Sequence, residues 1–173
     1  MATALIIIDM QKGFFEPADP VYNANTLIDN VNKLINLARE ARAKIMFIQH
    51  NGTKNHPVEE ATEGWQLAQK VNVTPDDIKI TKSYPDAFLN TSLNEYLNKY
   101  GIKKLIIAGL KTEYCIDTTC RRAYSLGYEV TLVSDAHSTY DSQIISAPQV
   151  IAHHNELIGN LFGFAIPTHQ IVF

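Results

Sequence analysis

Residues 105–120 read LIIAGLKTEYCIDTTC, and the change of pattern inside this stretch decides the fold. LIIA (residues 105–108) is a short apolar run of strand length and strand composition. A glycine and a polar turn follow, and a helix is predicted to begin near Cys115 and to stop at Gly127, the residue type that commonly ends helices. The same strand-then-helix succession recurs outward in both directions. ALIII (4–8), KIMFIQ (44–49), IKIT (78–81) and VTLV (130–133) are further strands, and the closing IVF (171–173) is a candidate edge strand.

Between the first two strands, Leu27, Ile28, Val31, Leu34, Ile35, Ala38 and Ala41 recur at threes and fours and give a helix one apolar face. Leu93, Tyr96, Leu97 and Tyr100 repeat the pattern, with Thr91 or Ser92 to cap the start and Gly101 to end the helix. Ser146-Ala-Pro-Gln149 is a capping box with proline in the first turn, opening a fourth helix through Val150, Ile151, His154, Leu157 and Ile158. Alternating near-continuous apolar strands and helices predict a three-layer α/β/α sandwich with a mainly parallel, Rossmann-like sheet. Residues 50–76, with Gly52, Pro57, Gly64 and Pro75, are read as a long loop carrying one short helix over a pocket.

At 173 residues and 46% hydrophobic, the chain suits a single domain over residues 1–173. A net charge of −3, spread along the sequence, leaves no basic stripe for nucleic acid. The N-terminus MATALIIIDMQ has no basic leader, and Asp9 ends its short apolar run, so neither signal peptide nor membrane span is expected and the cytoplasm is the default location. The two cysteines, Cys115 and Cys120, form no CxxC pair and are read as free thiols.

Three reactive groups follow three predicted strands. Asp9 closes ALIII, Lys82 closes IKIT, and Cys115 ends the turn after LIIA. In a parallel sheet the carboxyl ends share one rim, where sites are built. An ammonium and a helix start both lower a thiol pKa, so Cys115 is expected to be a thiolate, with Asp9 as general acid and base. Taken singly, Asp9 reads as a turn former, Lys82 as a solvated cation and Cys120 as a small core residue. The conjunction is what points to catalysis.

The motifs DMQKGFFEP (9–17), KSYPDAF (82–88), GLKTEYCIDTT (109–119) and SDAHST (134–139) resemble, in order and spacing, those of the isochorismatase-like cysteine hydrolases, the superfamily of nicotinamidases and N-carbamoylsarcosine amidohydrolase. The resemblance runs from residue 4 to about 161. It implies an Asp9-Lys82-Cys115 triad, a cis peptide between Leu110 and Lys111, and an oxyanion hole formed by the backbone N–H groups of Lys111 and Cys115. It also implies that Phe14 packs against the substrate; Trp65 and Tyr114 are further pocket candidates. Members that hydrolyse the vinyl ether of isochorismate replace the cysteine with a small residue, so this chain's Cys115 disfavours that reaction. Nicotinamidases carry an Asp-x-His metal motif after the second strand, where this chain has QHNGTKNH (49–56) without the aspartate. His50 and His56 are therefore read as solvent-facing loop residues, with no metal and no cofactor expected. His137 is expected to support the rim through hydrogen bonds, and His153 and His154 are ordinary helix residues.

These readings predict a metal-independent hydrolase that cleaves a C–N bond of a small amide or ureide through a thioester, and the resemblance implies a dimer or larger homo-oligomer. Three alternatives stay open. One is a nicotinamidase-type metal-assisted amidase. Another is a redox-active thiol pair, although five residues of helix separate Cys115 from Cys120 by a rise of about 7.5 Å and would need unwinding to pair. The last is a non-enzymatic scaffold.

Overall fold

The computed structural model describes residues 2–16 and 18–173, so Pro17, the last residue of the first motif, lies outside the described residues. Strands β1 (Ala2–Ile8), β2 (Lys44–His50), β3 (Ile78–Lys82), β4 (Ile102–Leu110), β5 (Glu129–Ser138) and β6 (Phe164–Ile166) form one sheet. Its order is β3-β2-β1-β4-β5-β6, and every neighbouring pair is parallel. This doubly wound order reverses direction between β1 and β4, the place where such sheets open a crevice at their carboxyl ends.

Side chains alternate between the two faces of each strand, and both faces are covered. On one face Leu5, Ile7, Phe47 and Ile106 pack under helix α1 (Ala24–Glu40) through Leu27, Val31, Leu34 and Ile35. On the other, Ile6, Ile8, Met46, Leu105 and Ile107 pack under α2 (Leu93–Lys99) and α3 (Asp117–Ser125). Each fully buried Ile or Leu contributes about 1.5–3 kcal/mol relative to exposure, so the sheet core is the main source of stability. The fourth helix, α4 (Ala147–Leu157), opens with the expected capping box of Ser146 and Gln149. Gly101 and Gly127 follow α2 and α3 with φ of 62° and 86°, the left-handed geometry that ends a helix.

Contact between β1 and β4 depends on one residue. Gly109 pairs with Ile8, and a Cβ at position 109 would lie 2.0 Å from the Ile8 carbonyl oxygen, at a φ of +119°. Only glycine permits that approach, which brings Asp9 and the turn after β4 side by side.

Two expectations need correction. The sixth strand is Phe164–Ile166, and residues 171–173 belong to no strand. Thr168 donates from both N–H and hydroxyl to Asp135 Oδ1, at 2.8 and 2.6 Å, and this diverts the chain off the sheet edge so that Ile171 is buried in the α1 layer. The third helix, α3, begins at Asp117, close to the expected start near Cys115, and a π-helical turn, Thr112–Ile116, leads into it. Among the described residues, 50–76 contain no helix. That loop is instead stitched to the chain after β1. Lys12 N–H donates to Gln66 (2.8 Å), Gly13 N–H to Gly64 (2.9 Å) and Ala68 N–H to Met10 (2.9 Å).

Candidate active site

Asp9 directly follows β1 at φ +54°, Lys82 is the last residue of β3, and Cys115 sits in the π-helical turn after β4. The structure brings these three together under the carboxyl rim, all buried. Lys82 Nζ donates to Asp9 Oδ2 at 2.9 Å, to Cys115 Sγ at 3.2 Å and toward His50 Nδ1 at 3.4 Å. An ammonium has three N–H donors, so Lys82 is fully used and locked. Asp9 Oδ1 is buried with no hydrogen-bond partner. An unpaired buried carboxylate oxygen is costly to maintain and marks a place where a proton can be received.

The surroundings of the thiol act against the lowering expected from its charged neighbour. Burial, followed by the charge of Asp9, pushes Cys115 from 9.0 up to about 12, and Lys82 only partly opposes them. The sequence reading weighed the ammonium and the helix start but not the loss of water. Asp9 is the carboxylate nearest this thiol in the polar cluster, bound to the same Lys82 ammonium.

His50 and His56 are half-buried rather than free in solvent. Both line a cavity of about 200 Å³ together with Asp9, Phe14, Pro85, Lys111, Tyr114 and Cys115. His50 is placed by register, paired with Lys82 across β2 and β3. The signal existed in the sequence, because His50 follows the apolar run KIMFIQ as Asp9 follows ALIII. Lys82 can only donate, so His50 Nδ1 accepts and its proton resides on Nε2. His56 Nδ1 accepts from Val58 N–H at 3.2 Å, which assigns the same tautomer. Burial depresses both imidazoles below 6.5, and nearby lysines add to it. They are therefore neutral N–H donors at neutral pH.

That tautomer does not fit a metal. Ligation through Nε2 would need the lone pair that now carries the proton, and a tautomer switch would break the Lys82 and Val58 contacts. Among the described residues, no group of three or more His, Cys, Asp or Glu side chains is arranged to hold a metal ion.

Phe14 and Tyr114 line the cavity, whereas Trp65 lies outside that lining. Trp65 Nε1 donates to Asn51 Oδ1 at 2.8 Å, and its carbonyl accepts from Gln11 Nε2 (2.9 Å) and Gln49 Nε2 (3.1 Å). Gln11 also brackets the His50 backbone, donating to its carbonyl at 3.0 Å and accepting its N–H at 2.8 Å. Trp65 and Gln11 thus fasten the loop. The Leu110–Lys111 peptide is cis. Tyr114 N–H and Ile116 N–H both donate to the Lys111 carbonyl, at 3.1 and 3.2 Å. The Lys111 N–H finds no acceptor among the described residues.

His137 holds this turn from behind. It is buried, its Nε2 donates to Asn155 Oδ1 at 2.9 Å, and its Nδ1 accepts from the Thr112 hydroxyl at 2.9 Å. Asn155 Nδ2 donates to the Ser134 carbonyl, which fixes the amide orientation and hence the histidine tautomer. Burial lowers His137 to about 4, so it stays neutral. Cys120, on α3, is fully buried in the core. His154 Nδ1 contacts the Val150 carbonyl of its own helix. A larger groove of about 650 Å³, bordered by Phe15, Val21, Ala24 and Ala68, contains none of the reactive groups. Among the described residues no helix is long and apolar enough to cross a membrane.

Comparison with known proteins adds an independent line. The isochorismatase domain model matches residues 3–154. The streptothricin hydrolase of Streptomyces noursei is 33% identical over 147 residues, covering 85% of this chain and 52% of that protein; the chain thus spans about half of that relative's length. Nicotinamidase 3 of Arabidopsis thaliana is 30% identical over 176 residues, covering 94% of this chain and 82% of that protein. Among solved structures, an isochorismatase family protein superposes with a TM-score of 0.89 at 35% identity, over 95% of this chain and 97% of the other.

Proposed function

The chain belongs to the isochorismatase family, and from that premise we propose that it is a cysteine hydrolase cleaving a C–N bond of a small amide or ureide through a thioester on Cys115. The observation that carries the reading is the buried Lys82 ammonium, which touches at once the Asp9 carboxylate and the Cys115 sulfur, two groups that line the cavity. Relatives named as a streptothricin hydrolase and a nicotinamidase make amide cleavage the chemistry to test first.

Cys115 Sγ attacks the substrate carbonyl carbon while its proton passes to Asp9. Charge collects on the carbonyl oxygen, held by the Lys111 and Cys115 N–H groups, where preorganised donors act most strongly. The C–N bond breaks as Asp9 returns the proton to nitrogen, and ammonia or an amine leaves. Asp9 then takes a proton from water, the hydroxide attacks the thioester, and the released sulfur recovers that proton. Lys82 remains protonated throughout. It balances Asp9 in the resting state and donates to sulfur as negative charge develops there. No step uses a metal.

The test is a panel of small amides and ureides, nicotinamide included, followed by ammonia release and by intact mass for an acyl adduct. Wild type should turn over at least one member, EDTA should leave its rate unchanged, and Cys115→Ser should lose about a thousandfold or more. Turnover that survives in Cys115→Ser would overturn the nucleophile assignment. Failure of every substrate together with peroxide-driven loss of both thiols would favour the redox alternative.

A further inference from the structure

The polar groups around the cavity are unevenly distributed. Asp9 and Lys82 neutralise each other as a buried ion pair. The remaining polar side chains at the wall are dominated by N–H donors. Lys111 carries a full positive charge and makes no salt bridge among the described residues. Its Nζ is 4.9, 5.5 and 5.9 Å from the ring centroids of Tyr114, Tyr140 and Phe14, so aromatic faces hold the ammonium without neutralising it. His56 packs edge-on against the same Phe14 ring, at 6.2 Å, and its Nδ1 is already an acceptor for Val58, which leaves an Nε2–H with no partner among the described residues. Lys111 and His56 therefore flank one aromatic ring, each with unspent donor capacity. Phe14, Pro85 and Tyr114 supply apolar wall around them.

Building on the hydrolase reading, we propose that the substrate is an anionic amide, with a carboxylate seated between Lys111 Nζ and His56 Nε2–H while its carbonyl carbon faces Cys115. A carboxylate meets this donor set well. It accepts a charge-assisted bond from the ammonium and a second from the imidazole, and its short apolar linker lies along Phe14. A cationic amide meets the unneutralised Lys111 and is rejected. The Lys111 residue then has two separate roles: its backbone belongs to the oxyanion site, and its side chain sets substrate charge. The half-amide of a small dicarboxylic acid is the simplest compound of this class.

Three probes of similar length isolate charge: succinamate (anionic), butyramide (neutral) and β-alaninamide (cationic). Wild type should show kcat/KM for succinamate at least about tenfold above butyramide and further above β-alaninamide. In Lys111→Met the succinamate-to-butyramide ratio should collapse toward unity, in Lys111→Arg it should be retained, and in Lys111→Glu the order should invert toward β-alaninamide. Ratios are read because a disturbed backbone at this position would lower all three rates together. Binding of the same probes to Cys115→Ser, by calorimetry, separates this inference from the hydrolase reading. Preferential succinamate binding without turnover by wild type would leave the anionic pocket standing and sink the hydrolase. Turnover that favours butyramide or β-alaninamide, or a ratio unmoved in Lys111→Met, would overturn the anionic pocket and leave the hydrolase intact.

Discussion

Replacing Asp9 by asparagine should move two properties of Cys115 in opposite directions, speeding alkylation by iodoacetamide while slowing amide turnover. The thiol is raised from 9.0 to about 12, which corresponds to about 4 kcal/mol in favour of its protonated form. At pH 7.5, roughly one such thiol in 30,000 is ionised, against roughly one in 30 for an ordinary cysteine, so wild type should alkylate about a thousandfold more slowly than a free thiol. Burial is the largest cause and survives the substitution, but the second, the negative charge of Asp9, is removed while Lys82 remains. With that charge gone, the reactive fraction of Cys115 should rise in Asp9→Asn. Turnover should fall by about a hundredfold to ten-thousandfold, because the proton acceptor is gone. Intact mass gives a clean readout, since Cys120 is fully buried and a single adduct is expected. Between pH 6 and 10 the wild-type alkylation rate should climb about tenfold per pH unit without levelling. A plateau below pH 9, or slower alkylation in Asp9→Asn, would refute the assignment of Asp9 as acceptor for a resting thiol.

Two other perturbations follow from the same site. His137 titrates near 4 when folded against 6.5 when free, so the unfolded chain binds the proton first as pH drops. Its stabilising contribution is present above pH 6.5 and is lost progressively toward pH 4, by about 3 kcal/mol. Urea unfolding at pH 7, 5.5 and 4.5 should show a shallower acid loss in His137→Gln than in wild type, and identical slopes would contradict the buried neutral histidine. Gly109→Ala would force a methyl into the Ile8 carbonyl at a disallowed φ, with an expected cost of about 3 kcal/mol or more. A urea midpoint that stays within 1 kcal/mol equivalent of wild type, on the order of measurement scatter, would show that β1 and β4 can separate there without loss.

The architecture was legible because strand and helix signals alternate cleanly, and the five long strands all fall where apolar runs stand. Register was not legible. Both sheet faces are buried, so residues 4–8 are apolar at every position, and the usual alternation that pins a strand to one face is absent. Gly109 and its close approach to Ile8 supply that pin, through a contact between residues a hundred positions apart in sequence. The terminal IVF has strand composition, but the Thr168–Asp135 hydrogen bonds override local propensity. At the site, the rule that residues at carboxyl ends of parallel strands converge identified Asp9, Lys82 and Cys115. Applied evenly, it would also have flagged His50. Charges that act on Cys115 can be listed from a sequence, whereas the depth of burial that pushes its thiol up cannot. His56 depended on the path of an irregular loop, and no periodic signal describes such a path.

The Gln11 side chain, bonded to the backbone of both His50 and Trp65, gives the region between them a modular character. Its two stems are secured to the end of β1, next to the Asp9 carboxylate, while residues 60–63 at its tip are exposed. Within this loop His56 lines the cavity, so change there alters the wall while the Gln11 bonds stay in place. Substrate choice and catalytic competence are thereby free to evolve at different rates, and a loop exchanged between relatives at the Gln11 anchor points should carry its selectivity with it.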